Sequence, residues 1–384
     1  MELRNNSDYK IQTNKKISWI INNFKYKSNI DISKLIIYFD NLKSIEYNNY
    51  TFHENASYML MNLKNYEDLI LLYDNIEEIN SSNCSCSRIF KIIKNEKCIM
   101  IHKYPNDILS FDESYKDEFL HEAFIGFVLN KLRCYIPNFV YTYAYYKTQE
   151  ENYNPYIIVI ENIENAINLE DIIQNLDNIE YFTILIQILN AFNLAYDFFK
   201  FTHNDLHDGN ILIQKFEENI TIPIYINNNI TYIKTKYLAK IIDFGQSYIR
   251  LDNQNYGIHH MENNFIYSFK SNPFKDIYKL LCFNAYKAMK ENNKQVFNLI
   301  NKIYLLFDQK KSLIQRFKIF EDNLISIYDD NNNEIKKEAR DSFNYNKSFF
   351  QKKKLKNNLV KEYRHIELIE ILINQFDEWK YIIV

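Results

Sequence analysis

The apolar residues of the early part of the chain form short runs that polar positions interrupt, which is typical of β-strands. Residues 88–94 and 98–103 flank the sequence N-E-K and predict a hairpin. Residues 139–146 and 156–160 predict two further strands. This part of the chain therefore predicts a small antiparallel sheet.

Elsewhere the apolar residues recur at helical spacing. One such stretch lies between the two predicted strand pairs, and others dominate the rest of the chain. The predicted helices cover residues 114–133, 179–200, 275–290, 295–307 and 360–378. Strand-rich sequence followed by helix-rich sequence predicts an α+β fold of two lobes, with a connection near residues 161–163.

The same patterns predict domain limits. Residues 1–75 read as a mostly helical extension, because apolar runs such as 58–63 and 68–73 have no strand-like alternation. Residues 76–161 form the predicted first lobe. Residues 162–384 form the predicted second lobe with a helical extension at its end.

The chain has 384 residues but four glycines, where average usage of about 7% gives roughly 27. They lie far apart, at Gly126, Gly209, Gly245 and Gly257, which excludes Walker A and dinucleotide-binding glycine loops. The net charge of −3 does not predict a nucleic-acid-binding surface. Five cysteines do not predict a disulfide framework. Without an apolar segment of eighteen residues, we expect a cytoplasmic protein that is not secreted and contacts no membrane.

Two polar motifs carry the candidate chemistry. F-T-H-N-D-L-H-D-G-N-I-L-I spans residues 201–213, and K-I-I-D-F-G-Q-S spans 240–247. A loop with Asp205 and Asn210 can present a carboxylate and an amide oxygen, and a strand that ends in Asp243 can present a second carboxylate. Phosphoryl transfer needs such a base beside a magnesium site.

These motifs resemble the catalytic loop H-R-D-x-K-x-x-N and the D-F-G motif of the protein-kinase-like superfamily. The resemblance covers residues 76–290 and implies a small antiparallel sheet lobe with one helix, followed by a larger, mainly helical lobe. It implies that ATP and Mg²⁺ are used, with Asp205 as the catalytic base. Asn210 and Asp243 are then the metal ligands, and His203 packs the loop.

The resemblance also assigns residues in the first lobe. Lys103 occupies the position of the lysine that binds the α- and β-phosphates. Its glutamate partner on the following helix is Glu122, or alternatively Glu118 one turn earlier. In the later part of the chain, Asp276 matches the aspartate that holds the backbone of the catalytic loop.

The remaining nucleotide contacts are implied in the same way. Ser82, Cys84 and Ser87 have the spacing of the family's glycine-rich loop, and Ile89 follows as the residue that covers adenine. Serine and cysteine permit close approach of the backbone but tolerate positive φ poorly. Ile160 lies at the gatekeeper position, and Glu161 to Ile163 are the hinge, so that the main chain of Glu161 and Ile163 binds adenine.

Three departures from the family pattern affect regulation and substrate. Asn204 replaces the arginine before the catalytic aspartate, which predicts activity without phosphorylation of the activation segment. No A-P-E follows D-F-G. His207 occupies the lysine position two residues after Asp205, as in aminoglycoside and choline phosphotransferases, and we count it among the catalytic residues.

The chain therefore resembles divergent serine/threonine protein kinases of large DNA viruses, which would place it in the host cytoplasm or the virion. The resemblance implies transfer of the γ-phosphate of ATP to a hydroxyl group of a protein. A small-molecule phosphotransferase and a nucleotide-binding pseudokinase scaffold are the alternatives. ATP and an acceptor are the expected partners.

Overall fold

The structure is a computed structural model that describes residues 14–20, 22–23, 50–63, 69, 72–79, 87–105, 113–147, 156–226, 229–257, 275–306 and 364–384.

A five-stranded antiparallel sheet forms in the first half of the chain, with the strand order β1-β2-β3-β5-β4. Its strands are β1 (Asn75–Glu78), β2 (Ser87–Lys94), β3 (Lys97–Pro105), β4 (Thr142–Lys147) and β5 (Tyr156–Glu161). The predicted hairpin is β2–β3. Its turn residues Asn95 and Glu96 both have positive φ, 49° and 62°, which suits the right-handed twist of paired strands.

Strand β4 begins three residues later than the sequence predicts. The preceding residues pair with the end of a later strand instead: Phe139 forms a parallel bridge with Ile241, and the Val140 N–H donates to the Ile241 carbonyl at 3.1 Å. The apolar run 139–146 thus pairs first with one strand and then with another. Both partner strands are buried, so the apolar pattern does not show where the pairing changes.

Helices among the described residues also pack against this sheet. Helix α1 (Tyr50–Met61) buries Ala56 and Leu60 in one core cluster with sheet residues such as Ile92 and Val159. Helix α2 (Glu113–Leu129) begins one residue before the predicted 114–133, and a 3₁₀ turn (Asn130–Leu132) follows it. Gly126 of α2 lies so close to the Thr142 side chain that a Cβ atom would clash, so glycine allows this helix to approach β4.

The later part of the chain is mainly helical. Its helices are α3 (Leu169–Ile172), α4 (Asn178–Phe199), α5 (Lys275–Lys290), α6 (Lys294–Leu305), α7 (His365–Gln375) and α8 (Trp379–Ile382). Helix α4 is long and apolar enough to cross a membrane, but 83% of its most apolar window is buried inside the protein. It is therefore a core helix by its packing. The predicted helices near 179–200, 275–290 and 295–307 are present within a few residues.

Two smaller sheets complete the described structure. β6 (Ile167–Asn168), β7 (Ile211–Ile226) and β8 (Asn229–Ile241) form a three-stranded sheet, and β9 (Ile249–Leu251) pairs with β10 (Gln254–Tyr256). Polar residues of α4 satisfy the backbone of the larger of these sheets: the Gln187 amide donates to the Tyr237 carbonyl at 2.8 Å.

The chain divides into two compact units. The first comprises Met1–Ala166, Leu194–Asn204 and Leu238–Ser271, and the second comprises Ile167–Asn193, Asp205–Tyr237 and Asn272–Val384. The predicted α+β class is confirmed by the sheets and helices. The predicted domain limits at residues 75 and 161 stay predictions.

Candidate functional site

In the first unit, Lys103 on β3 lies between two carboxylates. Its Nζ donates to both oxygens of Glu122 at 2.7 and 2.8 Å and to Asp243 Oδ1 at 3.0 Å. Burial lowers the pKa of Lys103, but the charges of Asp243 and Glu122 outweigh burial and hold the pKa above its ordinary value. Lys103 is therefore a fixed cation between the helix α2 and the D-F-G motif.

Of the two glutamates that the sequence offers as partners of Lys103, one pairs with it and the other lies beside the D-F-G motif. Glu122 makes the ion pair. The carboxylate of Glu118 lies beside Gly245 instead, where a Cβ atom on residue 245 would be 3.1 Å from Glu118 Oε1. The glycine of D-F-G therefore leaves room for the Glu118 side chain.

The backbone around the D-F-G motif has two residues in the left-handed region, Asp243 with φ 65° and Asn204 with φ 66°. Such a φ costs a non-glycine residue about 1–2 kcal/mol, and strain of this kind clusters at functional sites. His203 Nε2 donates to the Ile242 carbonyl at 2.9 Å, so this side chain fixes the residue before Asp243.

Side chains also hold the backbone that follows D-F-G. The Asn204 amide donates to the Gln246 carbonyl at 3.0 Å, and His121 Nε2 donates to the Ser247 carbonyl at 2.7 Å. Asn204 is the residue that replaces the family's arginine. The predicted independence from phosphorylation stays a prediction.

In the second unit, the loop from Asp205 to Asn210 is closed by its own hydrogen bonds. The Asn210 Nδ2 donates to the Asp205 carbonyl at 2.9 Å, and the Asn210 N–H donates to the His207 carbonyl at 3.0 Å. Because the amide nitrogen of Asn210 is used in this way, its Oδ1 is the atom left to serve as a ligand. Amide and carboxylate oxygens are the ligands that Mg²⁺ prefers, so Asn210 and Asp243 have suitable chemistry.

His207 is bound by the same loop. Its Nδ1 accepts a hydrogen bond from the Gly209 N–H at 3.1 Å, and its ring lies 6.1 Å from the ring of Phe283 on α5. For the next residue, Asp208, the sequence predicts no role. Burial and the neighbouring charge of Glu170 raise the pKa of Asp208 to about 6.

The carboxylate of Asp205 has a partner that the sequence did not reveal. Lys279 Nζ on α5 donates to Asp205 Oδ1 at 2.8 Å. The Lys279 side chain is 8% exposed and that of Asp205 is 24% exposed. Asp276, one turn earlier on α5, is fully buried, and its predicted contact with the loop backbone stays a prediction.

The predicted hinge residue Glu161 has a buried side chain. Its carboxylate accepts hydrogen bonds from Arg133 Nη2 at 2.7 Å, from Lys240 Nζ at 2.9 and 3.1 Å, and from the Tyr141 N–H at 3.0 Å. Burial raises the pKa of Glu161, but the charges of Arg133 and Lys240 outweigh it and bring the pKa below its ordinary value. Burial and the charge of Arg133 lower the pKa of Lys240 to about 7.

His53 joins this cluster to helix α1. Arg133 Nη2 lies 3.1 Å from His53 Nε2, and His53 Nδ1 lies 2.8 Å from the Tyr143 hydroxyl. Because arginine can only donate, Nε2 is the acceptor and Nδ1 carries the hydrogen of a neutral ring. Burial lowers the pKa of His53 to about 3, in agreement with that assignment.

The predicted nucleotide contacts are partly outside the described residues, since Ser82 and Cys84 of the predicted phosphate loop fall there. Ser87 begins β2, and Ile89 pairs with Lys103 in the β2–β3 ladder. The carbonyl of Ile163 accepts a hydrogen bond from the Ala166 N–H at 3.3 Å. Their binding roles stay predictions.

The structure thus groups the predicted site residues in two sets. Lys103 contacts Glu122 and Asp243 in the first unit. Asp205, Asn210 and His207 share one loop of the second unit. Among the described residues, no three His, Cys, Asp or Glu side chains cluster as a metal site. The predicted metal ligands Asp243, in the first unit, and Asn210, in the second, stay predictions.

The chain is similar in sequence to proteins of invertebrate iridescent viruses. "Probable kinase 098L" of Invertebrate iridescent virus 3 is 27% identical over 229 residues, which cover 59% of this chain and 40% of that protein. "Uncharacterized protein 179R" of Invertebrate iridescent virus 6 is 32% identical over 143 residues, which cover 34% and 12%. The chain spans less than half the length of the curated relatives it matches.

No family model matches the chain. Among solved structures, that of the Rad53 kinase domain and SCD2 covers 60% of this chain and 72% of its own, with 16% identity and a TM-score of 0.33. The resemblance to kinases that the two loop motifs predict is confirmed by the sequence similarity to a kinase-named protein of a large DNA virus.

Proposed function

We propose that this chain is an ATP- and Mg²⁺-dependent phosphotransferase, with a serine or threonine hydroxyl of a protein as the acceptor. The observation that carries the proposal is the position of Lys103, which is held between Glu122 and Asp243. A buried cation with two carboxylate partners is a costly arrangement for stability alone, because the burial of charge offsets much of the attraction. It is well suited to a phosphate-binding lysine beside a metal ligand.

In this proposal residues 82–163 hold the nucleotide, and the two motifs hold the metal ion. Lys103 binds the α- and β-phosphates, and Glu122 fixes its side chain. Ser82, Cys84 and Ser87 line the phosphates, Ile89 covers the adenine, and the main chain of Glu161 and Ile163 binds its edge. When bound by Asn210 and Asp243, Mg²⁺ would neutralise charge on the β- and γ-phosphates.

Asp205 is the proposed base. Its carboxylate orients the acceptor hydroxyl and takes its proton as the hydroxyl oxygen forms a bond to the γ-phosphorus. The bond from that phosphorus to the oxygen bridging the β-phosphate breaks, and ADP leaves with the electron pair. Positioned base catalysis of this kind contributes on the order of 10²–10⁴ in rate.

Nucleotide binding can be tested without any acceptor. Mg-ATP at about 100 times its dissociation constant should stabilise the protein by about 2.7 kcal/mol. Asp243→Asn should remove the part of this shift that depends on Mg²⁺. Asp252→Asn is the matched control, because Asp252 is an exposed aspartate that also has positive φ, 50°. Equal shifts in both variants would contradict the role of Asp243.

The acceptor class needs a second experiment. His207 at the lysine position favours a small hydroxyl compound as the alternative acceptor, because small-molecule phosphotransferases share that residue. Labelled ATP should therefore be offered with proteins and with small hydroxyl compounds in parallel. Transfer to protein supports the proposal, transfer to small compounds alone replaces its acceptor, and nucleotide binding without any transfer supports a pseudokinase scaffold instead.

A further inference from the structure

The contact between Lys279 and Asp205 joins a buried lysine to the proposed base. Lys279 Nζ lies 2.8 Å from Asp205 Oδ1, and the lysine side chain is 8% exposed. Phe283, one helical turn later, has its ring centre 5.8 Å from the same Nζ. Helix α5 therefore positions the ammonium group firmly against the catalytic loop.

The loop itself supplies little positive charge. His207 accepts a hydrogen bond at Nδ1 from the Gly209 N–H, and a nitrogen that accepts carries no proton. Residues 205–210 contain no lysine or arginine. The transferred phosphoryl group bears negative charge on three oxygens, and its transfer is favoured by preorganised cations.

Stability alone does not require Lys279. A buried ion pair can often be replaced by apolar side chains at no cost in stability, and the neighbours Ile277, Leu280 and Leu281 on α5 are fully buried apolar residues. A lysine at this place is consequently better explained by what its charge does at Asp205.

We propose that Lys279 is the basic residue of the phosphoryl-transfer site. It orients the Asp205 carboxylate and offers its charge to the transferred phosphoryl group. The inference rests on the proposed function.

The test removes the charge of Lys279 while leaving a polar side chain at this position. Lys279→Gln retains an N–H donor toward Asp205, Lys279→Arg retains the charge, and Lys290→Gln is the control on the exposed end of the same helix. Lys279→Gln should lower kcat on the order of 10²-fold with little change in KM for ATP. Lys279→Arg should retain part of the rate, and the control should match the unmodified chain.

Binding gives a readout that does not depend on turnover. Calorimetry with Mg-ADP, and with Mg-ADP plus aluminium fluoride as a mimic of the transferred group, should show that Lys279→Gln weakens the second complex and spares the first. Equal weakening of both complexes would point to a structural role and overturn the inference.

A lysine at residue 207 provides the rescue. His207→Lys in the Lys279→Gln background should restore part of the lost kcat, since the charge returns to the same loop. A merely structural Lys279 would not be rescued in this way, and loss of kcat without rescue overturns the inference. If the unmodified chain transfers no phosphate to any acceptor, the proposed function itself fails, which distinguishes the two outcomes.

Discussion

Removal of the Glu161 carboxylate should destabilise the protein strongly. The side chain is buried and accepts hydrogen bonds from Arg133, Lys240 and the Tyr141 N–H. In Glu161→Gln the two basic side chains lose the charge that compensates their burial. Breaking one partner of a buried ion pair in this way costs about 3–5 kcal/mol. With about 2–4 °C per kcal/mol for units of 150–250 residues, the melting temperature should fall by roughly 6–20 °C.

The loss of stability in Glu161→Gln should also depend on pH. The pKa of Lys240 is about 7, so that this side chain is charged in the folded protein at pH 6 and neutral at pH 9. Glu161→Gln removes its counter-charge, and the penalty should therefore be larger at pH 6 than at pH 9.

Urea unfolding at both pH values gives the free energy of unfolding for the unmodified chain and the variant. Glu164→Gln is the matched control, because Glu164 is exposed three residues later. A loss at Glu161 no larger than that of the control, or one independent of pH, would refute the reasoning about the buried cluster.

Three further predictions concern the same unit. The pKa of Lys240 is lowered from 10.5 to about 7. Between these pH values the unfolded chain binds a proton that the folded chain does not, so the free energy of unfolding rises with pH. Lys240→Met should flatten this rise in urea titrations. The pKa of His53 is lowered from 6.5 to about 3, so its contribution is present above pH 6.5 and lost as the pH falls toward 3; His53→Gln should make melting temperatures less dependent on pH in that window. Gly126→Ala should cost about 1–3 kcal/mol by overpacking against Thr142, and Thr142→Ala in the same chain should recover part of that loss in urea unfolding.

Local patterns made much of the fold predictable. The β2–β3 hairpin follows from two short apolar runs around a turn, and α2 and α4 follow from helical spacing. The Lys103–Glu122 ion pair could be proposed because a family pattern relates a strand lysine to the next helix. Each of these features depends on residues close in sequence or on a known spacing.

The buried charges were not predictable in the same way. Lys279 and Asp205 are 74 residues apart, and Lys240 and Glu161 are 79 residues apart. A lysine in a sequence is expected to be exposed unless it is paired, and pairing at such separations has no local signal. Lys240 did carry a hint, because it stands among the apolar residues at the end of β8, directly before D-F-G.

The central claim is that Asp205 and its loop transfer phosphate from ATP. The most direct measurement is the transfer of label from ATP in the presence of Mg²⁺, with the unmodified chain, Asp205→Asn and the exposed control Asp171→Asn compared at equal concentration. The account predicts transfer by the unmodified chain and the control, and a rate lower on the order of 10²–10⁴ for Asp205→Asn. Transfer by Asp205→Asn at the rate of the control, or no transfer by the unmodified chain, would contradict it.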